Sequence, residues 1–388
     1  MGLERQGQRV LATEVLQALA AGDDIHLVEC TIAGDVDISR LLDNAEGFDI
    51  AGMNIQSADK VRTVRLGQSL VFNSCVFEDN VCFAGPWEEI DTLSVVFAKD
   101  VNFNSSQFKG QTRFGGGVFC GAAGFDGCTF EKVTSFRKVA FQSRVMLRTV
   151  FFEGYAMFTG VIFEKEVRFT NTCFGKGGNF AGVTFKGRAD FDGCYSKSRA
   201  VPVFESVRFA RCRRGDDETF WRFIKQSCQE AGHYQLAGES FYRERCGHFW
   251  NDFRGPRYEE LTSAGRLWRS LGGVRLLGEF VFGRLLFGYG ERPGRVLIAG
   301  VLIIVFCAML YACPWASVCY RNNEGPEQLS FMDGLYFSTI TFTTLGFGDM
   351  YPDPQNVMTR CLAMTEAVSG AALMALFVVC LSKRYSRG

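Results

Sequence analysis

The sequence predicts a multidomain chain: a long β-solenoid of very short strands, then a helical stretch, then an all-α module built on two apolar helices. Three observations carry that expectation. Phenylalanine, 38 of the 388 residues, recurs at a short fixed period through much of the first half. Near the C-terminus two runs, 296–318 without a charge and 361–381 with only Glu366, reach the ~20 residues that a membrane helix requires. Between those runs stands TTLGFGDMYP at 343–352, preceded by an apolar and aromatic stretch, 329–344, too short to span. The length allows two to three domains, and the formal net charge is zero.

In chain order, residues 1–10 are polar and charged, which is not how a signal peptide opens. Residues 9–20 read as a short helix inside an N-terminal cap, 1–24, that hides the edge of the first coil. Apolar marks at Leu27, Ile32 and Ile38 start the period, which returns at Phe72, Phe77 and Phe83. From Phe97 the marks fall at Phe103, Phe108, Phe114, Phe119, Phe125, Phe130, Phe136 and Phe141, then run through Leu147 and Phe152 to Phe191. Steps of five and six alternate, giving an eleven-residue unit with two inward marks, the sign of a repeat architecture. An eleven-residue period also suits a right-handed coiled coil. On a helix, however, alternate marks would lie about 140° apart and form no single stripe. The stretch is also dense in Gly, Ser and Thr, which are poor helix formers. A β-solenoid accommodates both facts, each strand sending one Phe inward and turning at small residues. Residues 84–96, with Pro86 and Trp87, break the phase and read as a protruding loop.

Stretches such as NFAGVTFKGRADFDGC (179–194) resemble the pentapeptide-repeat family over about residues 25–212. The resemblance implies a right-handed, roughly four-sided β-helix, about 40 Å long if each coil rises by about 4.8 Å. Some members of that family imitate DNA, which needs an acidic stripe. Residues 72–212 hold 17 Lys or Arg against 14 Asp or Glu, so no nucleic-acid-related role is expected.

Residues 213–290 lose the period and gain helical composition, and read as a helical linker between the coil and the C-terminal module. Two amphipathic helices separated near Gly232 are expected over 219–246, and 274–287 fits a helix lying at a membrane interface. Cys228, His233, Cys246 and His248 raise zinc binding, but no Cys-x-x-Cys pair accompanies them, and the helix context explains them as packing. Most of the 15 cysteines fit a reduced cytoplasmic solenoid. Cys313 and Cys319 fall on the oxidising side, where a disulfide between them is open.

The remaining residues, 291–388, carry the chemistry. Gly346 and Gly348 reach φ/ψ values closed to other residues, so consecutive carbonyls can point at one axis. The carbonyls of Thr344, Leu345, Gly346 and Phe347, with the Thr344 hydroxyl, would replace the hydration shell of a potassium ion. Thr343 and Asp349 bound that segment. A short helix over the residues before it would aim its negative C-terminal dipole at the cation. One copy supplies a quarter of such a ring, so a homotetramer in a lipid bilayer is expected. Arg284, Arg292 and Arg295 precede the first apolar run and Lys383, Arg384 and Arg387 follow the second, whereas the intervening loop holds Arg321 with Glu324 and Glu327. Both termini are therefore expected in the cytoplasm, with the protein in the cell membrane.

Residues 291–384 resemble the two-helix prokaryotic potassium-channel pore module: outer helix 296–318, pore helix and filter 329–349, inner helix 361–381. Two differences from the commonest filter are Leu345 and Phe347, where Val and Tyr are usual. Where some members carry a pore-helix Glu that braces the filter Asp, this chain has Ile340, although Tyr336 and Asp349 remain. Glu366, an ionisable residue in a membrane helix, either bonds groups behind the filter or faces water at the helix mouth. Gly370 stands where inner helices of this family often have a hinge, although simple close packing also explains it. The reading is thus a potassium-selective channel and not an enzyme, since no nucleophile–base pair, phosphate loop or hydrolase motif stands out. K+ is the permeant ion, and no organic cofactor is implied. A poorly selective cation channel and a membrane-anchored scaffold with a vestigial pore are the alternatives. With only 382–388 after the second run, gating input is expected through the first helix, unless the solenoid serves only assembly, localisation or an unidentified cytoplasmic partner.

Overall fold

A computed structural model describes residues 2–42, 54–58, 61–86, 92–197, 199–210, 215–254, 273–286, 288–321 and 326–385. It divides the chain into two compact units, Met1–Asn251 and Asp252–Gly388.

In the first unit, strands of mostly two residues are dealt in turn onto four sheets, and every neighbour within the repeating part is parallel. From Val101 the chain returns to each sheet after 22 residues: Val101 pairs with Ala123, Gln107 with Thr129, Thr112 with Thr134 and Val118 with Ala140. Two Phe marks eleven residues apart therefore lie on opposite sides, and marks 22 apart lie one above the other. The rings stack accordingly, Phe108 on Phe130 at 4.6 Å and Phe114 on Phe136 at 5.4 Å between centroids. Neighbouring columns meet edge to face, as at Phe114–Phe125 (5.9 Å, 69°), a favoured geometry for aromatic quadrupoles. The interior thus holds four Phe columns. From Phe97 to Phe191 the residue two before each mark is also buried and is small or β-branched, as Ala123, Cys128, Thr134, Val139 and Val145 are. Burial pushes the Cys128 and Cys194 thiols up, and both behave as small apolar groups that donate weakly to the carbonyls of Phe103 and Phe169.

Several parts of this unit differ from expectation. The coil begins at Leu3: Leu3–Gln6 pairs with Ile25–Val28 and Arg9–Leu11 with Thr31–Ala33. Residues 9–11 are consequently strand, and helix α1, Ala12–Ala21, starts where the Glu14 carboxylate accepts the Leu11 N–H at 3.1 Å. Val15, Leu16 and Leu19 of α1 are buried. Within the phase-breaking stretch, residues 87–91 lie outside the described ones, while Leu93–Phe97 is not loop but a five-residue strand continuing a sheet. Another insertion forms the antiparallel pair Asn54–Ala58 with Val61–Leu66.

The helices α2, Glu218–Glu230, and α3, Tyr234–Arg254, flank Gly232, which takes φ +79°. They go with the coil and not with a linker. Phe220 and Phe223 of α2 close its open end, Phe220 against Phe191 at 5.1 Å and Phe223 against Phe174 at 5.3 Å. Glu244 of α3 accepts from Lys225 (2.6 Å) and Arg222 (3.2 Å) of α2. The stretch 255–272 lies outside the described residues.

In the second unit, residues 273–286 are helical, with wider π-type turns over Glu279–Leu286. Val274, Leu277, Phe282 and Leu285 are exposed on this helix, and Phe287 is outside the described residues. Tyr289 at φ +53° turns the chain into α4, Pro293–Tyr311, with Pro at its first position. The pore module continues with α5, Phe331–Phe342, and α6, Val357–Tyr385. Helix α4 ends at Tyr311 and does not run to Val318. Pro314 stops it, and Val318–Tyr320 becomes a strand paired with Met350–Pro352. Among the described residues, α4 and α6 are the two helices long and apolar enough to cross a membrane.

Candidate functional site

Ser330 caps α5 by accepting the Asp333 N–H at 3.2 Å, and the helix delivers its C-terminal carbonyls to residues 343–349. Thr343 is still helical, its N–H and hydroxyl both donating to the Thr339 carbonyl. The left-handed region is then visited at every second residue: Thr344 (φ +57°), Gly346 (+50°) and Gly348 (+76°). The Thr344 hydroxyl donates to the Thr343 carbonyl at 2.7 Å. Thr344 is the one of these three that carries a Cβ, and sequence reasoning did not single it out for its backbone. Leu345 and Phe347 are 62% and 64% exposed. At the far end of the run, the Tyr336 hydroxyl of α5 donates to Asp349 Oδ2 at 2.8 Å.

Glu366 is 2% exposed and joins three helices. Its Oε2 accepts from the Tyr311 hydroxyl of α4 at 2.8 Å, and its Oε1 lies against the Ser338 hydroxyl of α5. Ser338 also reaches the Ile304 carbonyl at 2.9 Å. Tyr311 and Ser338, both fully buried, are partners that the sequence did not disclose. Ile340 packs in an apolar cluster with Cys307, Tyr311, Phe337 and Met350.

Glycines bring the helices close. A Cβ at Gly334 of α5 would meet the Ala308 carbonyl oxygen of α4 at 2.7 Å, and one at Gly300 the Phe342 ring at 3.2 Å. A Cβ at Gly370 would collide with the Phe342 carbonyl, the last of α5. Gly370 therefore sits where α6 crosses the end of the helix that carries the loop.

The four possible zinc ligands are not gathered: among the described residues no group of three or more His, Cys, Asp or Glu could hold a metal. His248 Nδ1 faces Glu218 at 3.2 Å, and burial pushes the Cys228 thiol up to about 11, away from the thiolate that zinc needs. Cys313 and Cys319 are free thiols.

Comparison with protein families falls on the second unit. The profile of a family described as "Ion channel" matches residues 298–387. The chain is similar to "Two pore potassium channel a" of Oryza sativa subsp. japonica, 32% identical over 87 residues. That stretch is 22% of this chain, and the chain spans about a quarter (24%) of the length of that curated relative. No solved structure matches. The C-terminal residues thus carry an ion-channel signature on a pair of membrane-spanning helices around a short helix and its loop.

Proposed function

We propose that this chain is the subunit of a potassium-selective channel in which four copies surround one pore. The alternation of left-handed backbone at Thr344, Gly346 and Gly348 carries the reading. Such alternation lets successive carbonyls face one side, as coordination of a dehydrated cation by Thr344, Leu345, Gly346 and Phe347 requires. Thr343 and Asp349 close the segment at its ends, and the carbonyl end of α5 adds a favourable dipole. Tyr336 supports it through Asp349 and Glu366 through Ser338. Gly370 is the hinge of this reading, and bending there acts directly on Phe342. The similarity to a protein named as a potassium channel points the same way. Arg284, Arg292 and Arg295 support a cytoplasmic N-terminal side for α4, and in this reading the four-sheet coil is a pentapeptide-repeat solenoid serving assembly or gating.

Full-length protein in potassium-loaded vesicles should pass K+ in strong preference to Na+, and Gly346→Asp should stop the flux. Equal K+ and Na+ fluxes, or flux indifferent to that substitution, would refute the proposal.

A further inference from the structure

The loop 343–349 leaves through Met350–Pro352, which runs antiparallel to Val318–Tyr320 in the register Val318↔Pro352, Cys319↔Tyr351, Tyr320↔Met350. The ladder has one more rung at each end. The Asp353 N–H donates to the Ser317 carbonyl at 3.1 Å, and the Arg321 N–H donates to the Asp349 carbonyl at 2.9 Å. That last rung ends on the final residue of the ion-coordinating segment. Asp349 is consequently held twice, its side chain by Tyr336 of α5 and its backbone by Arg321.

The strand that does the holding is itself rooted. Val318 is fully buried and Cys319 nearly so, and Val318 packs with Tyr311, Phe337, Ile340 and Met350. Ser317 bonds Asp353 Oδ2 at 2.9 Å and accepts from Asn356 at 3.0 Å, while its N–H donates to Thr359 of α6 at 3.2 Å. Pro326–Glu327 pairs on its other edge. Position 340, where a pore-helix carboxyl would brace Asp349, is apolar and buried in the same cluster.

We propose that 317–321 is a backbone clamp on the exit of the loop, with the Arg321 amide as the positioning group that keeps Asp349 in place. The clamp rests on the channel reading. Carbonyls aimed at one axis repel one another when ions leave, and a loop whose last residue is fixed resists the resulting collapse. The main-chain N–H does this, not the guanidinium.

The test is an amide-to-ester exchange at residue 321 in the full-length chain, using the α-hydroxy analogue of arginine. It removes the N–H and keeps the side chain. Arg321→Ala does the converse, and Arg321→Pro removes the same N–H by ordinary mutagenesis. Potassium currents are followed at low and high K+ on the side of Arg321. The ester and Arg321→Pro should hasten current decay on the order of fivefold, the effect of one net hydrogen bond. High K+ should restore the slow decay, because bound ions oppose collapse; a general folding defect has no such rescue. Arg321→Ala should decay like the unaltered chain. Decay unchanged in the ester, or hastened only in Arg321→Ala, overturns the clamp and leaves the channel reading standing. An unaltered chain that passes no K+ overturns both.

Discussion

Glu366→Ala should separate a carboxyl that organises three helices from one that is merely buried. The substitution deletes the acceptor of the Tyr311 hydroxyl, which is fully buried. Interhelical hydrogen bonds in membranes contribute about 1–2 kcal/mol at most. The cavity left by the side chain adds about 2 kcal/mol, at the low end of large-to-small core changes. Ser338 adds little, because its hydrogen still reaches the Ile304 carbonyl. The total is about 3–4 kcal/mol. Glu366→Gln keeps the shape and both contacts, its amide oxygen accepting from Tyr311 and its amide N–H donating to Ser338. It should therefore cost about 1 kcal/mol or less. Denaturation midpoints in detergent, measured beside K+/Na+ selectivity, should rank the unaltered chain close to Glu366→Gln and both far above Glu366→Ala. Adding Tyr311→Phe to Glu366→Ala should recover part of the loss, since no orphaned hydroxyl then remains. A Glu366→Ala protein as stable and selective as the original would refute the reasoning, as would Glu366→Gln failing equally.

Gly370→Ala sets two effects against each other. Helix propensity favours alanine by about 1 kcal/mol, but the new Cβ would strike the Phe342 carbonyl. Stability and conduction should both fall, and a rise in the denaturation midpoint would show that the close approach does not matter. Glu218 supplies a pH test in the first unit. Burial alone would raise its pKa, but hydrogen bonds from Asn251 and His248 and the charge of Arg222 outweigh it and hold the carboxyl below its ordinary value. A depressed native pKa contributes stability that is complete above the unfolded value and fades as pH falls through the folded one. The melting temperature of the coil should drop on acidification below about pH 4.5, and Glu218→Gln should flatten that drop. An acid limb of the same slope in both proteins would rule Glu218 out as its source.

The coil was legible because its geometry repeats at the scale of the sequence. One inward Phe per two-residue strand, at equal corners, leaves a period that survives even where Leu147 replaces Phe. What interrupts the period was harder to place. Leu93–Phe97 returns to the sheet after an insertion, and nothing local distinguishes that return from loop. The closing helix looks like linker in the sequence because Phe220 and Phe223 answer to Phe191 and Phe174, residues distant in sequence and adjacent only once the coil has formed. Likewise the apolar run through Val318 looks like one helix, although its last residues pair with Met350–Pro352 on the far side of the loop. Pro314 was the local signal.

The loop shows the same division between local and distant causes. Gly346 and Gly348 announce left-handed backbone by themselves, whereas Thr344 adopts it as a residue for which that conformation costs about 1–2 kcal/mol. Such a conformation persists only where the surroundings enforce it. Those surroundings act on the two ends of the run: α5 with Gly370 of α6 pressed on Phe342, and Asp349 pinned by Tyr336 and Arg321. Between the ends, Leu345 and Phe347 stay more than half exposed. An apolar pair held out from a loop tied at both ends is poorly suited to water. Further copies of the chain around a shared axis would cover it, and the same symmetry would complete the ring of carbonyls. Burial of Leu345 and Phe347 and coordination of the ion therefore stand or fall together: a chain that stays monomeric in detergent would leave both unmet.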